Sequence, residues 1–124
     1  MVEVKVVKSN CETIQRHREM LEDLVHELNE NLGSTGKVSL GKERIKYNWV
    51  YLISQKKGWL SSRHLAVFDR VGCPEFRGYE KDDPINVNVR VYTPEVLETV
   101  KRVVTEYAGK PESNVAKVEI SQQF

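Results

Sequence analysis

Residues 46–69, KYNWVYLISQKKGWLSSRHLAVFD, decide the fold because they contain two β-type segments separated by a polar connection. β-Branched and aromatic residues are typical of strands that pack on at least one face. The segments are WVYLIS at 49–54 and HLAVFD at 64–69, and the long connection between them is QKKGWLSS at 55–62, interrupted by Gly58. The stretch predicts two neighbouring strands in the middle of a sheet.

The residues before this stretch predict a strand, a helix and a short hairpin. Apolar and charged residues alternate in VEVKVV at 2–7, which is the pattern of a half-buried strand. Apolar residues then recur at helical spacing over 10–32, after a capping box at Ser9 and Glu12. The short hairpin consists of VSL at 38–40 and ERIKY at 43–47, with a turn at Gly41 and Lys42.

The residues after the stretch predict a loop, a strand, a helix and a final strand. The segment 70–84 has two glycines, two prolines and no periodicity, which favours a long loop. The closing elements are the strand INVNVRVY at 85–92, a helix that begins at Thr93 and Pro94 and ends at Gly109, and the strand VAKVEI at 115–120.

The element order β-α-β-β-(β)-β-α-β predicts an α+β fold, a two-layer sandwich with a largely antiparallel sheet and two helices on one face. The order is ferredoxin-like, an architectural analogy that implies no function. A chain of 124 residues has the size of one domain, so we expect residues 1–124 to form a single sandwich domain. No apolar run approaches the about 18 residues of a membrane span, and no secretory signal is evident, so we expect a cytoplasmic protein that does not contact membranes.

The net charge of +1 hides a segregation of charge along the chain. Residues 34–68 hold seven basic residues and one acidic residue, whereas residues 11–32 hold two basic and six acidic ones. Cations next to aromatic rings suit single-stranded DNA or RNA, because phosphates pair with the cations and bases stack on the rings. The candidate nucleic-acid-binding residues are Lys37, Lys42, Arg44, Lys46, Tyr47, Trp49, Tyr51, Lys56, Lys57, Trp59 and Arg63.

The strand at 49–53 predicts a second, different function, because it is apolar on both faces. One set of side chains is Trp49, Tyr51 and Ile53, and the other is Val50 and Leu52. Two helices cover one face of the sheet, so the other face needs a second copy of the chain, the 70–84 loop or a ligand. The alternative hypothesis is therefore a protein-interaction or structural subunit that homodimerises through an apolar sheet face, with no nucleic-acid role.

A polar face is predicted on the strand at 85–92. Its members are Asn86, Asn88, Arg90 and Tyr92. Such side chains contact bases and phosphates in some proteins and only solvent in most. The binding hypothesis is strengthened if this face coincides with the face of Trp49 and Tyr51.

Catalysis and metal binding have little support from the sequence, so we expect no enzyme and no cofactor. The run GSTGK at 33–37 lacks the spacing and the context of a phosphate-binding loop. His17 is expected to be a packing residue, and His64 lies near two serines without a recognisable third group. A third hypothesis, a metal-dependent nuclease, depends on the carboxylates of Asp69, Glu75, Asp82 and Asp83.

Overall fold

The computed structural model describes residues 2–45, 48–69, 85–113 and 115–124, with side chains for all of these except 2–14, 44–45, 48–49 and 85. The elements are helix α1 (Val2–Leu32), strands β1 (Val38–Ile45), β2 (Asn48–Lys57), β3 (Ser61–Asp69) and β4 (Ile85–Val91), helix α2 (Leu97–Ala108) and strand β5 (Val115–Gln122). Short 3-10 turns precede β1, α2 and β5. No helix in these described ranges is apolar over a length that would cross a membrane.

The five strands form one mixed sheet in the order β1-β2-β3-β4-β5. The first three pairs are antiparallel, and each joins strands that are consecutive in the chain. The last pair, β4 and β5, is parallel, and α2 provides the crossover connection that a parallel pair requires. The predicted α+β class is confirmed, whereas the ferredoxin-like order is not.

The predicted strand at 2–7 is wrong, because these residues form the first turns of α1. The helix also runs through Ser9, which therefore does not cap its N-terminus. No glycine or proline interrupts residues 2–32, so each added residue extends the helix by one backbone hydrogen bond. Alternating valines satisfy a strand pattern as well, but a strand would need a neighbouring strand for its hydrogen bonds.

Two predicted connections in the middle of the chain are also wrong. Where a hairpin was predicted over 38–47, the described residues 38–45 form a single strand, β1, which pairs with β2 along its whole length from Val38 opposite Gln55 to Ile45 opposite Asn48. The predicted long connection at 55–62 is a tight turn, because β2 and β3 extend until Lys57 pairs with Ser61. Gly58 adopts a positive φ of 65° in this turn, a conformation that favours glycine. The predicted loop at 70–84 lies outside the described residues.

Both helices pack on the same face of the sheet, as predicted. The buried apolar core combines Leu21, Leu24 and Leu28 of α1, Val100, Val104 and Tyr107 of α2, and Ile53, Ala66, Phe68, Val87, Val89 and Val91 of the strands. In β4 the valines alternate with Asn86, Asn88 and Arg90, which lie on the opposite face. The sheet therefore has one apolar face under the helices and one face on which no described helix packs, called the helix-free face below.

A histidine is buried in the core between the two layers. His17 of α1 is 1% exposed, and its ring lies 5.9 Å from that of Tyr51, 6.0 Å from that of Tyr107 and 6.3 Å from that of Phe68. Neither ring nitrogen has a hydrogen-bond partner within the described part of the chain. Burial lowers the pKa of His17 from 6.5 to about 4, because a charged imidazole would lose its hydration there. His17 is thus a neutral packing residue, as predicted.

The burial of His17 makes stability depend on pH. The unfolded chain binds a proton at His17 below pH 6.5, whereas the folded chain binds it only near pH 4, so the free energy of unfolding falls as the pH is lowered between these values. We expect a loss of about 2 kcal/mol from this residue between pH 7 and pH 5. Urea unfolding of the wild type and of His17→Leu at both pH values measures the contribution, which the variant lacks. His26→Leu, at an exposed position, serves as the control, and an equal pH response in all three proteins would contradict the prediction.

Glycine is required at one position where two backbone segments meet. A Cβ atom on Gly36 would lie 2.0 Å from the carbonyl oxygen of Lys56, and the Gly36 φ is 155°. Beside this contact, the Lys56 N–H donates a hydrogen bond of 2.9 Å to the Lys37 carbonyl. The end of β2 therefore lies directly against the segment that leads into β1.

We expect Gly36→Ala to lower the free energy of unfolding by about 3 kcal/mol, because backbone atoms must move to relieve the clash. Gly41→Ala is the matched control, since a Cβ atom at Gly41 would meet nothing within 4 Å. Its effect should stay within about 0.5 kcal/mol. Urea denaturation midpoints report both effects, and equal midpoints for the two variants would refute the assignment.

Candidate nucleic-acid interface

The amide of Gln55 joins the end of α1 to the hairpin formed by β2 and β3. Three acceptors lie within hydrogen-bond distance of its Nε2 and share its two hydrogens: the Leu32 carbonyl at 2.9 Å, the Thr35 Oγ1 at 2.9 Å and the Gly36 carbonyl at 3.0 Å. Its Oε1 accepts from the Nε and Nη2 atoms of Arg63 at 3.1 and 2.8 Å. Because Gln55 is buried, these contacts give its amide the hydrogen-bond partners that a buried polar group needs. The hairpin is thereby held in a defined position relative to the helices.

We expect Gln55→Leu to lower the free energy of unfolding by about 3 kcal/mol, because it removes a donor to the Gly36 carbonyl and the acceptor of two Arg63 N–H groups. Gln123→Leu is the matched control, since Gln123 is exposed near the end of the chain. The two variants can be compared by urea denaturation. An effect of Gln55→Leu no larger than that of the control would show that the amide does not stabilise the hairpin.

A shallow trough of about 280 Å³ lies on the helix-free face, at the hairpin end of the sheet. The strand register places Lys56 opposite Ser62 and Ser54 opposite His64 on this face. The turn contributes the two large apolar side chains that are most exposed in the described ranges, Trp59 at 81% and Leu60 at 84%. The side chains that line the trough are Ser39, Ser54, Lys56, Trp59, Leu60, Ser61 and Ser62.

The only charged side chain lining the trough, among the described residues, is that of Lys56, and Lys37 and Lys57 adjoin that residue through the backbone. For Lys37, Lys56 and Lys57, no ion pair is found with any residue that the structure describes, and the backbone hydrogen bond between Lys37 and Lys56 keeps these two residues adjacent. The charges farther along the same face are paired, Arg90 with Asp69 at 3.6 Å and Lys117 with Glu119 at 2.7 Å. The hairpin end is therefore where this face attracts anions.

The structure places two of the candidate binding residues at the trough, Lys56 and Trp59, and a backbone hydrogen bond holds Lys37 next to Lys56. Lys57 follows Lys56 in β2, so strand alternation puts its side chain on the opposite face. Tyr51 lies on the other face of the sheet, half-buried against His17. Arg63 is held by Gln55 and by Glu95 at 3.0 Å, so it is committed to the fold. Lys42 is exposed on β1 opposite Tyr51, four residues beyond Val38 and away from the turn.

The remaining candidates cannot be assigned to the trough. Arg44 and Trp49 lie opposite each other in β1 and β2, and their side chains are among those outside the description. Lys46 and Tyr47 lie outside the described residues. The face of Asn86, Asn88 and Arg90 is the helix-free one, so it coincides with the trough and not with the face of Tyr51.

Sequence reasoning did not assign the serines of the trough, Leu60 or His64 to a nucleic-acid site, and it named Tyr92 only as part of the polar face of the strand at 85–92. The signal that reveals the serines and His64 is the strand register. Once Gly58 is placed in a tight turn, pairing of Lys57 with Ser61 puts Ser62 opposite Lys56. A register shift between Ile53 and Ser54 then brings His64 opposite Ser54. Tyr92 contributes through a ring contact with His64 that no local pattern predicts.

The apolar part of the helix-free face is smaller than the homodimer hypothesis requires. Val50 and Val67 lie on this face but are already buried, and Leu52 is half-buried. Most of their described neighbours on the face are polar, including Ser39, Asn88 and Glu119. Homodimerisation through this face stays a prediction.

The groups for a metal-dependent nuclease fall largely outside the described part of the chain. Glu75, Asp82 and Asp83 are not described, and the fourth carboxylate, Asp69, pairs with Arg90. Within the described residues there is no group of three or more His, Cys, Asp or Glu side chains that could hold a metal ion. The nuclease hypothesis therefore gains no support here and stays a prediction.

A second concavity, of about 350 Å³, lies between α1 and α2. Met20 and Tyr107 contribute apolar surface, and charged residues surround them. Arg102 pairs with Glu27, and the Arg16 Nη1 donates to the Glu112 carbonyl at 2.9 Å. Arg102 and Arg16 already have partners, so this groove attracts an anion less strongly than the trough does.

No protein-family model, curated protein or solved structure matches this chain. Its function is therefore inferred from its own residues and their geometry. Among the described surfaces, the trough combines an exposed ring, cations without acidic partners and several hydroxyl groups.

Proposed function

We propose that this protein binds single-stranded nucleic acid through the trough at the hairpin end of its sheet. The observation that carries the proposal is the exposure of the Trp59 ring beside Lys56, at a point where the face has no acidic lining residue among those described. Exposed tryptophan is unusual in a monomer, and stacking of a base on such a ring stabilises a complex by about 1–3 kcal/mol.

The chemistry favours an unpaired strand over a duplex. A base can stack on Trp59 only if its own face is accessible, which in a duplex is true only at the ends. The hydroxyls of Ser54 and Ser62 line the trough beside Lys56, where they can donate to phosphate oxygens. None of these groups reads a particular base edge, so we expect binding with little sequence preference.

The homodimer is the alternative proposal, and it has less support. It needs an exposed apolar surface across the helix-free face, and two of the described apolar residues in the middle of that face, Val50 and Val67, are buried within one chain. Light scattering at micromolar concentration tests it separately from nucleic-acid binding, because the trough lies at one end of the face.

Salt dependence is the sharpest test of the nucleic-acid proposal. We expect fluorescence anisotropy of a labelled 12-nucleotide oligothymidylate to give a plot of log affinity against log salt with a slope of about −2, the value for three phosphates neutralised on a single strand. Lys56→Ala should make the slope less negative by about 0.7 because one contact is lost. Trp59→Ala should weaken binding about tenfold and leave the slope unchanged, because stacking releases no counterions.

Lys101→Ala supplies the matched control, because Lys101 is an exposed lysine on α2, on the other side of the sheet. It should change neither the affinity nor the slope. Two results would overturn the proposal: no binding at low salt, or the same loss for Lys101→Ala as for Lys56→Ala.

A further inference from the structure

We infer that the binding site continues along β3 to a second stacking position at His64, supported by Tyr92, so that the protein holds two successive unpaired bases. This inference rests on the proposed function and specifies its ligand. His64 is exposed on the helix-free face, and its ring lies 6.4 Å from that of Tyr92 at an interplanar angle of 66°. Histidine rings serve as stacking surfaces for unpaired bases.

The strand register places His64 next to the trough. Ser54, which lines the trough, is directly opposite His64, and Lys56 is opposite Ser62. Side chains two residues apart on one face of a strand are separated by about 7 Å. Passing from the turn into the sheet, the surface thus presents the Trp59 ring, then Lys56 with Ser62, and then the His64 ring. That sequence of ring, cation and ring matches a base, a phosphate and the next base.

Tyr92 fixes the position of His64 without covering it. The Tyr92 N–H donates to the Leu65 carbonyl at 2.9 Å, which ties the residue after β4 to the residue after His64. The tyrosine ring is half-buried, and the two rings do not lie face to face. Because the two rings are tilted, Tyr92 does not stack on the His64 imidazole.

The face changes character directly beyond His64, which limits the site. The next residue of β3 on this face is Val67, which is buried. Beyond it, Arg90 is paired with Asp69. Neither an exposed ring nor an unpaired cation continues the series among the described residues of these strands, so the site ends after the second base.

The test compares His64→Ala with His26→Ala in the anisotropy assay, using the full chain and the labelled 12-nucleotide oligothymidylate. His26 is an exposed histidine on α1, paired with Glu30 at 2.8 Å, and it lies in the helical layer. We expect His64→Ala to weaken binding about tenfold with an unchanged salt slope. His64→Phe, which keeps a stacking surface, should retain the wild-type affinity, whereas a purely electrostatic role predicts the same loss as alanine.

A competition series with unlabelled oligothymidylates measures the length of the site. Affinity should rise from one nucleotide to two or three and then level off, and His64→Ala should remove the gain from the second nucleotide. If the wild type binds and Trp59→Ala weakens it, but His64→Ala behaves like His26→Ala, the second position is refuted and the proposed function stands. If the wild type binds no oligonucleotide, the proposed function itself fails. Binding to phosphatidylserine vesicles in place of oligonucleotides would instead assign the Trp59–Leu60 turn to a lipid surface and overturn both.

Discussion

The side-chain amide of Gln55 is the interaction on which the rest of the arrangement depends. A helix leaves its last carbonyl groups without partners inside the helix, and Gln55 satisfies the one at Leu32, the final residue of α1. The same amide reaches the Gly36 carbonyl before β1 and accepts two hydrogen bonds from Arg63 in β3. One buried polar group thus joins the helical layer, the first strand and the hairpin. Such a group stabilises the fold only when all its bonds are made, so it also specifies a single arrangement.

This junction also determines the properties of the candidate interface. Gln55 is followed immediately by Lys56, whose carbonyl oxygen lies so close to Gly36 that no side chain fits there. The backbone of the lysine that opens the trough is therefore fixed, while its ammonium group remains exposed. Preorganised cations lose less conformational freedom when a ligand binds, which favours affinity from a small contact area. Under the proposed function, stability and binding would be coupled through two adjacent residues, Gln55 and Lys56.

Elements with one consistent local pattern were predictable from the sequence. Elements whose limits depend on hydrogen bonding to neighbouring strands were not. The strand β4 alternates cleanly and α2 ends at its glycine, so both were identified. VEVKVV suits a strand and a helix equally, and its long uninterrupted continuation decided for the helix. Gln55, Lys56 and Lys57 are not residue types that favour strands. They extend β2 only because β1 and β3 supply hydrogen-bond partners. The candidate site follows the same rule. Lys56 and Trp59 were identified from the local composition. The position of His64 depends on a register shift and on a contact with Tyr92, 28 residues away, so it was not identified.

The charge asymmetry bears on how many nucleic-acid strands one molecule could engage under the proposed function. The section of α1 over 11–32, with six acidic residues against two basic ones, lies across the sheet from the trough. A polyanion that approaches the helical side is repelled, while one that approaches the hairpin end is attracted, so the field of the protein directs the encounter. The protein therefore has one side that attracts a polyanion and one side that repels it. Under the proposed function, such a protein would coat one nucleic-acid strand without bridging it to another, with its acidic helix turned outward.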